Sequence, residues 1–187
     1  MNTPRVVALI GFAHCGKSTV AGMLADMGYT RLKFAAPLKD MLRSIGLTDY
    51  EIEGAGKERP CALLAGRTPR HAMVTLGTEW GRDLISPEFW TGIAAKRARD
   101  VLAAGGRVVF DDCRFENEGA VVRALGGEVW RVVRPGHEPA GALHPSEAVQ
   151  LGMYADRMIV NVGPMETLRE AVEWELAYGD TARAVGL

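Results

Sequence analysis

Gly11, Gly16, Lys17 and Ser18 are the residues of this chain whose types and spacing point most directly to chemistry. They lie in the run Gly11-Phe12-Ala13-His14-Cys15-Gly16-Lys17-Ser18-Thr19, which fits the pattern Gly-x-x-x-x-Gly-Lys-Ser/Thr. Glycine lets a main chain wrap close around an anion, and successive N–H groups add to the positive end of a following helix. Lys17 has the reach for the β- and γ-phosphates of a nucleotide, and the Ser18 hydroxyl suits Mg2+. His14 and Cys15 fill free positions, where the backbone N–H serves rather than the side chain; a thiol there predicts sensitivity to thiol reagents. Thr19 carries the loop into the helix that follows. The chemistry expected is binding of ATP with Mg2+.

Asp111 and Asp112 close the apolar run Val108-Val109-Phe110, and Arg114 follows. A phosphate loop needs a carboxylate on a neighbouring strand to hold Mg2+ or its waters, and ligands bind at the C-terminal ends of parallel strands. Both aspartates are therefore candidate metal ligands, Asp112 is also a candidate for the reaction itself, and Arg114 adds a guanidinium beside them. In the plainer alternative the two acids cap the next helix and Arg114 pairs with Glu116 or Glu118.

Each cluster needs a strand before it and a helix after it, and the hydrophobic pattern supplies both. Val6 to Ile10 is an apolar, β-branched run, and Thr19, Val20, Met23, Leu24 and Met27 recur at helical spacing. Tyr29 to Phe34 predicts a short strand, and Pro37 opens a helix to about Ile45 that Gly46 stops. Residues 49 to 67 are polar and weakly periodic, which predicts a loop or a mobile insertion. Thr68-Pro69 caps a helix whose inward stripe is Met73, Leu76, Trp80 and Leu84. Helices are predicted over Glu88 to Ala103 and 115 to 125, with strands over Val108 to Phe110, Glu128 to Val133 and Arg157 to Val162. Arg134 to His144 reads as loop, and Pro164 starts a last helix to about Tyr178. Five strands and about seven helices in alternation predict an α/β fold of the P-loop kinase type, a central parallel five-stranded sheet flanked by helices in three layers.

The bulk properties bound the partners. At 187 residues the chain predicts one domain, or a domain with a small insertion, and 48% hydrophobic with 24% charged residues can supply both a core and a hydrated surface. A net charge of −1 gives no footprint for polymeric nucleic acid. Cys15, Cys61 and Cys113 show no metal spacing and cannot all pair, which suits a reducing cytoplasm. No stretch approaches the roughly 18 apolar residues of a membrane span, and the chain enters its first strand with no signal segment. A cytoplasmic protein with a small-molecule ligand is expected. There is no Asn-Lys-x-Asp motif of a GTPase, and motor ATPases run longer. A small-molecule kinase fits better.

The chain resembles the deoxynucleoside monophosphate kinases of tailed bacteriophages, a branch of the P-loop nucleoside monophosphate kinase family. The resemblance covers almost the whole chain and rests on motifs in a fixed order. They are residues 11 to 19; Phe34-Ala35-Ala36-Pro37-Leu38-Lys39; Arg70 with Leu76-Gly77-Thr78-Glu79-Trp80-Gly81-Arg82; and Glu88-Phe89-Trp90. Asp112-Cys113-Arg114-Phe115-Glu116-Asn117-Glu118, Gly126-Gly127, Val132-Val133-Arg134-Pro135-Gly136 and His144-Pro145-Ser146-Glu147 complete the set. One departure is Val74, which stands where the resemblance leads one to a Gln that would hydrogen-bond the base.

The resemblance implies transfer of the ATP γ-phosphoryl to the 5′-phosphate of a deoxynucleoside monophosphate, in the host cytoplasm for a viral protein, by a homodimer. Within a single domain over 1–187, it implies a helical monophosphate-binding region over about 35–105 and a lid-like loop over about 134–147. Lys17, Arg70, Asp112 and Arg114 are then the catalytic candidates, with Arg70 on the acceptor phosphate. Phe34, Lys39, Trp80, Arg82, Arg134, His144 and Glu147 are the further substrate candidates. Phe34 either stacks on a base or fills core, and packing competes with substrate contact at Trp80. His144 and Glu147 either orient substrate or cap the helix that begins near Ser146. Two other readings stay open: a P-loop kinase for another small metabolite, such as dephospho-coenzyme A, and an ATP-binding protein without turnover.

Overall fold

A computed structural model describes residues 3–137 and 145–184, with side chains described up to 137 and over 148–178. The chain divides into two compact units, Met1–Lys33 with Ala95–Leu187, and Phe34–Ala94.

In the first unit β1 (Val6–Ile10) leads through the phosphate loop to α1 (Lys17–Asp26), and β2 (Tyr29–Leu32) follows. In the second, α2 (Ala36–Ser44), α3 (Asp49–Ile52), two short 3₁₀ turns and α4 (Pro69–Thr75) precede a π-helix over Leu76–Ile85. The division falls inside α5 (Phe89–Ala103). The first unit then continues with β3 (Arg107–Phe110), α6 (Glu116–Ala124), β4 (Glu128–Val133), α7 (Pro145–Gly152), β5 (Arg157–Val160) and α8 (Met165–Ala184).

The five strands form one parallel sheet in the order β2-β3-β1-β4-β5. β1 is central and all five of its residues are buried, which is why that segment reads as a continuous apolar run rather than an alternation. Val7 and Leu9 of β1, Val109 of β3 and Trp130 and Val132 of β4 share a core with Val20 and Leu24 of α1 and Leu168 and Val172 of α8. α6 lies against β1 and β4. Helices thus flank a parallel sheet in three layers, with the phosphate loop at the C-terminal end of the middle strand. This is the α/β P-loop kinase fold that the sequence predicts. β5 ends at Val160, two residues earlier than the sequence suggests, and its Met158 and Val160 lie on the exposed face of the strand. Among the described residues no helix is long and apolar enough to cross a membrane.

The second unit corrects two expectations. Residues 49 to 67, expected as loop, begin with α3, whose start is a reciprocal cap between Thr48 and Glu51. The Glu51 carboxylate accepts the Thr48 N–H and hydroxyl, both at 2.8 Å. Hydrogen bonds from the Thr48 backbone first, then from its hydroxyl and the Cys61 thiol, hold the Glu51 carboxyl below its usual range. Ile52 then joins Leu42 and Leu47 in a small core with Met73 and Leu76 packed against it.

The stripe Met73-Leu76-Trp80-Leu84 does not run inward to its end: Trp80 is half-buried and Leu84 is 76% exposed. The segment after Thr75 is π-helical, so its turns are wider and residues three or four apart drift off a common face. Two small residues and one indole account for it. The Trp90 Nε1–H donates to the Gly77 carbonyl at 2.8 Å, and the indole lies so close to Gly81 that a Cβ there would meet Nε1 at 2.3 Å.

Candidate phosphate site

The loop between β1 and α1 turns through three residues of positive φ, Gly11, His14 and Gly16. His14 has φ +61°, an unusual value for a residue with a Cβ, and Gly16 has φ +109°. Gly11 is required by contact with main chain as well as by angle, and Gly16 by angle, with a side-chain amide also close to it. A Cβ on Gly11 would lie 2.3 Å from the Val132 carbonyl oxygen, and one on Gly16 would lie 2.6 Å from Asn161 Nδ2. Gly16 is the N-cap of α1 and provides no side-chain cap, and the first turn of α1 contains no acid. The positive end of this ten-residue helix thus carries no side-chain cap and no neutralising acid of its own. Lys17 Nζ donates to the Gly11 and Phe12 carbonyls, each at 2.7 Å, so the ammonium is held on the loop itself.

A cleft of about 480 Å³ opens beside the loop. His14, Lys17, Ser18 and Thr19 line it from the loop side, Arg134 from the end of β4, and Asn161 and Pro164 from the segment after β5. Arg134 is exposed on its loop. Asn161 holds the loop's shape: its Nδ2 donates to the Cys15 carbonyl at 2.9 Å, and its backbone N–H donates to the Val133 carbonyl at 2.7 Å. Cys15 itself turns inward and is 2% exposed, its Sγ 3.9 Å from Lys17 Nζ. The expected thiol sensitivity meets a buried sulfur.

The two aspartates differ in their surroundings. Asp111 is buried and its Oδ2 accepts from Arg31. Arg31 and Tyr29 alternate onto one face of β2, and Tyr29 belongs to the core under α1. The Arg31–Asp111 pair therefore sits on the sheet face that carries α1. Asp111 Oδ1 is buried without a hydrogen-bond partner. A hard divalent cation prefers such an oxygen, and with the Ser18 hydroxyl at the start of α1 these residues fit Mg2+. Asp112 is half-buried on the following turn. At the start of α6, whose N-cap is Phe115, Glu118 Oε2 accepts the Arg114 N–H at 2.6 Å and the Phe115 N–H at 3.2 Å. The Arg114 side chain is exposed. Below it, burial pushes the Cys113 thiol well above its ordinary range.

In the Phe34–Ala94 unit the candidate cations face carboxylates. Lys39 Nζ lies 2.7 Å from Glu53 Oε2, and Arg70 Nε lies 2.9 Å from Glu58 Oε1. Arg82 is half-buried on the π-helix. Phe34 is 3% exposed, a packing position with little ring face to offer a base. The Trp80 ring packs edge-on against Phe89 with centroids 5.3 Å apart and lies 6.1 Å from Trp90. Val74 is exposed. His144 lies outside the described residues, and Glu147 falls within α7 with its side chain outside them.

No model of a known protein family matches the chain. A protein of Acanthamoeba polyphaga mimivirus named "Putative deoxynucleotide monophosphate kinase" is 33% identical over 155 residues, which are 76% of this chain and 80% of the viral protein. The chain belongs to the kinase family of that protein. It is a P-loop kinase, a nucleotide-binding phosphotransferase acting on a small molecule.

Two solved structures are similar to this kinase. A dephospho-CoA kinase from Campylobacter jejuni is 13% identical, with 92% of this chain and 95% of that one covered, at a TM-score of 0.48. TT1252 from Thermus thermophilus is 20% identical, with 94% and 98% covered, at a TM-score of 0.43.

Arg31 and Asn161 escape the sequence reading, though each leaves a trace. Arg31 is a charge at the core-facing register of a short strand, two residues after Tyr29. Asn161 is the polar residue directly after the last apolar strand, at the sheet edge where ligands bind.

Proposed function

We propose that this kinase transfers the γ-phosphoryl group of ATP to the 5′-phosphate of a deoxynucleoside monophosphate. The observation that carries the donor half is the uncapped N-terminus of α1 behind a left-handed loop, with Lys17 held at its mouth. The name of the mimiviral relative supports the acceptor half.

The acceptor phosphate is anionic at neutral pH, so the reaction asks for no strong base. It asks for two polyanions to be held in line with their charge neutralised. The loop N–H groups and α1 receive the donor's phosphates, and Lys17 exchanges the Gly11 and Phe12 carbonyls for phosphate oxygens. Ser18 and Asp111, with Asp112 beside it, would hold Mg2+, which when bound offsets negative charge on the phosphoryl oxygens. Arg31 holds Asp111 in place through its contact with Oδ2. Arg134 closes on the donor from the lid-like loop, and Arg114 stands near the transferring group. The acceptor is assigned to residues of the helical region over about 35–105. There Lys39 and Arg70 exchange Glu53 and Glu58 for a phosphate dianion, with Arg82 and Trp80 on the π-helix.

The test is an ADP-release assay with ATP, Mg2+ and each of the four deoxynucleoside monophosphates, their ribose counterparts and dephospho-coenzyme A. Turnover with a monophosphate is expected. Turnover with dephospho-coenzyme A alone would move the acceptor assignment. Tight ATP binding with no ADP from any acceptor would leave a nucleotide-binding protein without turnover.

A further inference from the structure

Gln150 is a polar side chain in the last turn of α7, yet it is only 4% exposed. Its Oε1 accepts the N–H of Gly11 at 3.0 Å, a buried bond that spans 139 residues of sequence. The helix that carries it is fastened to β4. Arg131 donates from one guanidinium nitrogen to the main-chain carbonyls of Gln150 at 2.9 Å and Met153 at 2.6 Å. A cavity of about 220 Å³ there is lined by Phe12, Cys15, Val132 and Leu151 beside Gln150, with Arg131, Arg134 and His137 also on its wall. Packing alone would accept a methionine at this position, and a buried amide is tolerated only for the bonds it makes.

The bond falls on the peptide that sets the loop's shape. Gly11 has φ +140°, and glycine accepts either sign of φ, so nothing intrinsic to the residue stops the Ile10–Gly11 peptide from turning. An acceptor on its N–H does. The next two peptides are held separately, their Gly11 and Phe12 carbonyls each accepting from Lys17 Nζ at 2.7 Å. Asn161 does the same service further along by donating to the Cys15 carbonyl.

We propose that Gln150 is a positioning residue for the donor nucleotide, its amide oxygen fixing the first peptide of the phosphate loop in the shape that receives a polyphosphate. The proposal rests on the reading of residues 11 to 19 as the donor site. It links that loop to α7, the helix reached by the same connection that begins with Arg134.

The experiment is a calorimetric titration of the full chain with Mg·ATP and, separately, with the deoxynucleoside monophosphates, in the wild type, Gln150→Met and Lys17→Ala. Gln150→Met keeps the side-chain volume and loses the acceptor. It is expected to weaken ATP about tenfold, as for a loop that must first re-form its shape, while monophosphate affinity stays within about twofold. Amide exchange at Gly11 speeds up in the variant. ATP affinity within about twofold of wild type, or equal losses for both ligands with a lower Tm, would overturn the proposal. Should Gln150→Met not fold, exchange in the wild type decides: a protected Gly11 N–H supports the bond's role, and one exchanging as fast as an open loop removes it. Lys17→Ala separates the two readings. Retained ATP affinity in Lys17→Ala defeats the donor-site assignment itself, whereas its loss beside an unaffected Gln150→Met defeats only the role of Gln150.

Discussion

Replacing Gly81 by alanine sets two effects of opposite sign against each other. In an ordinary helix interior the change stabilises by roughly 0.5–1 kcal/mol, since alanine loses less backbone entropy. At Gly81 the new Cβ would lie 2.3, 2.6 and 2.8 Å from Nε1, Cε2 and Cζ2 of Trp90. The indole is a rigid, buried wedge between Phe89 and Trp80, so it cannot swing a terminal atom aside. Forcing it away costs about 1–3 kcal/mol in packing strain. Breaking its 2.8 Å bond to the Gly77 carbonyl costs about 1–3 kcal/mol more. The net expectation is destabilisation on the order of 1–5 kcal/mol.

Gly92 is the internal control. It lies in α5, and a Cβ there meets nothing within 4 Å, so Gly92→Ala should stabilise by roughly 0.5–1 kcal/mol. Urea unfolding followed by tryptophan fluorescence measures both. Opposite signs are expected for one and the same substitution. A more stable Gly81→Ala would falsify the account of how Trp90 shapes the π-helix. Because Trp80 and Arg82 ride on that segment, the proposed function further predicts that Gly81→Ala raises the acceptor KM more than the ATP KM.

Lys17→Ala should lower turnover by several orders of magnitude in the ADP-release assay, because neutralising charge on the transferring group is the largest catalytic effect available here; a loss below about tenfold contradicts the donor assignment. Arg70→Ala should raise the monophosphate KM and leave ATP binding nearly intact, with equal losses placing Arg70 on the donor side instead. Asp111→Asn keeps the shape but removes the charge that faces Arg31, and it should raise the Mg2+ concentration needed for half-maximal activity while Asp112→Asn raises it less; the reverse order would reassign the metal. The native chain should show no fast thiol at pH 8 toward a chromogenic disulfide reagent, since Cys15, Cys61 and Cys113 are 2%, 8% and 0% exposed, and all three should react in denaturant. The same burial raises the Cys113 pKa in the fold, so its contribution to stability is complete below the unfolded thiol's pKa and is lost as pH rises through the folded value.

The tight turn between β1 and α1 was legible from residue types. Its shape resides in the main chain, and glycine at 11 and 16 suits the angles and close approaches seen there. The parallel sheet was legible for a related reason: strands covered on both faces read as unbroken apolar runs, as Val6 to Ile10 and Val108 to Phe110 do. The cap at Thr48 and Glu51 was also written in the chain but was outweighed by the polarity of residues 49 to 67. A short helix needs only one cap and one anchored residue, here Ile52.

What sequence could not supply was partnership between distant positions. Nothing local tells Asp111 from Asp112; the distinction comes from the register that sets Arg31 beside Asp111 on the face under α1. The inward stripe fails at Leu84 because the turns there are π-helical, and a tryptophan on the next helix bonds back to Gly77 within that segment. Gln150 and Asn161 are unremarkable in composition and acquire meaning only where folding lays them against Gly11 and Cys15, 139 and 146 residues away. Backbone conformation and burial follow from the residues themselves, so sequence determined the loop and the sheet. Pairings between side chains depend on which strands and helices become neighbours, and the tertiary structure alone decided those.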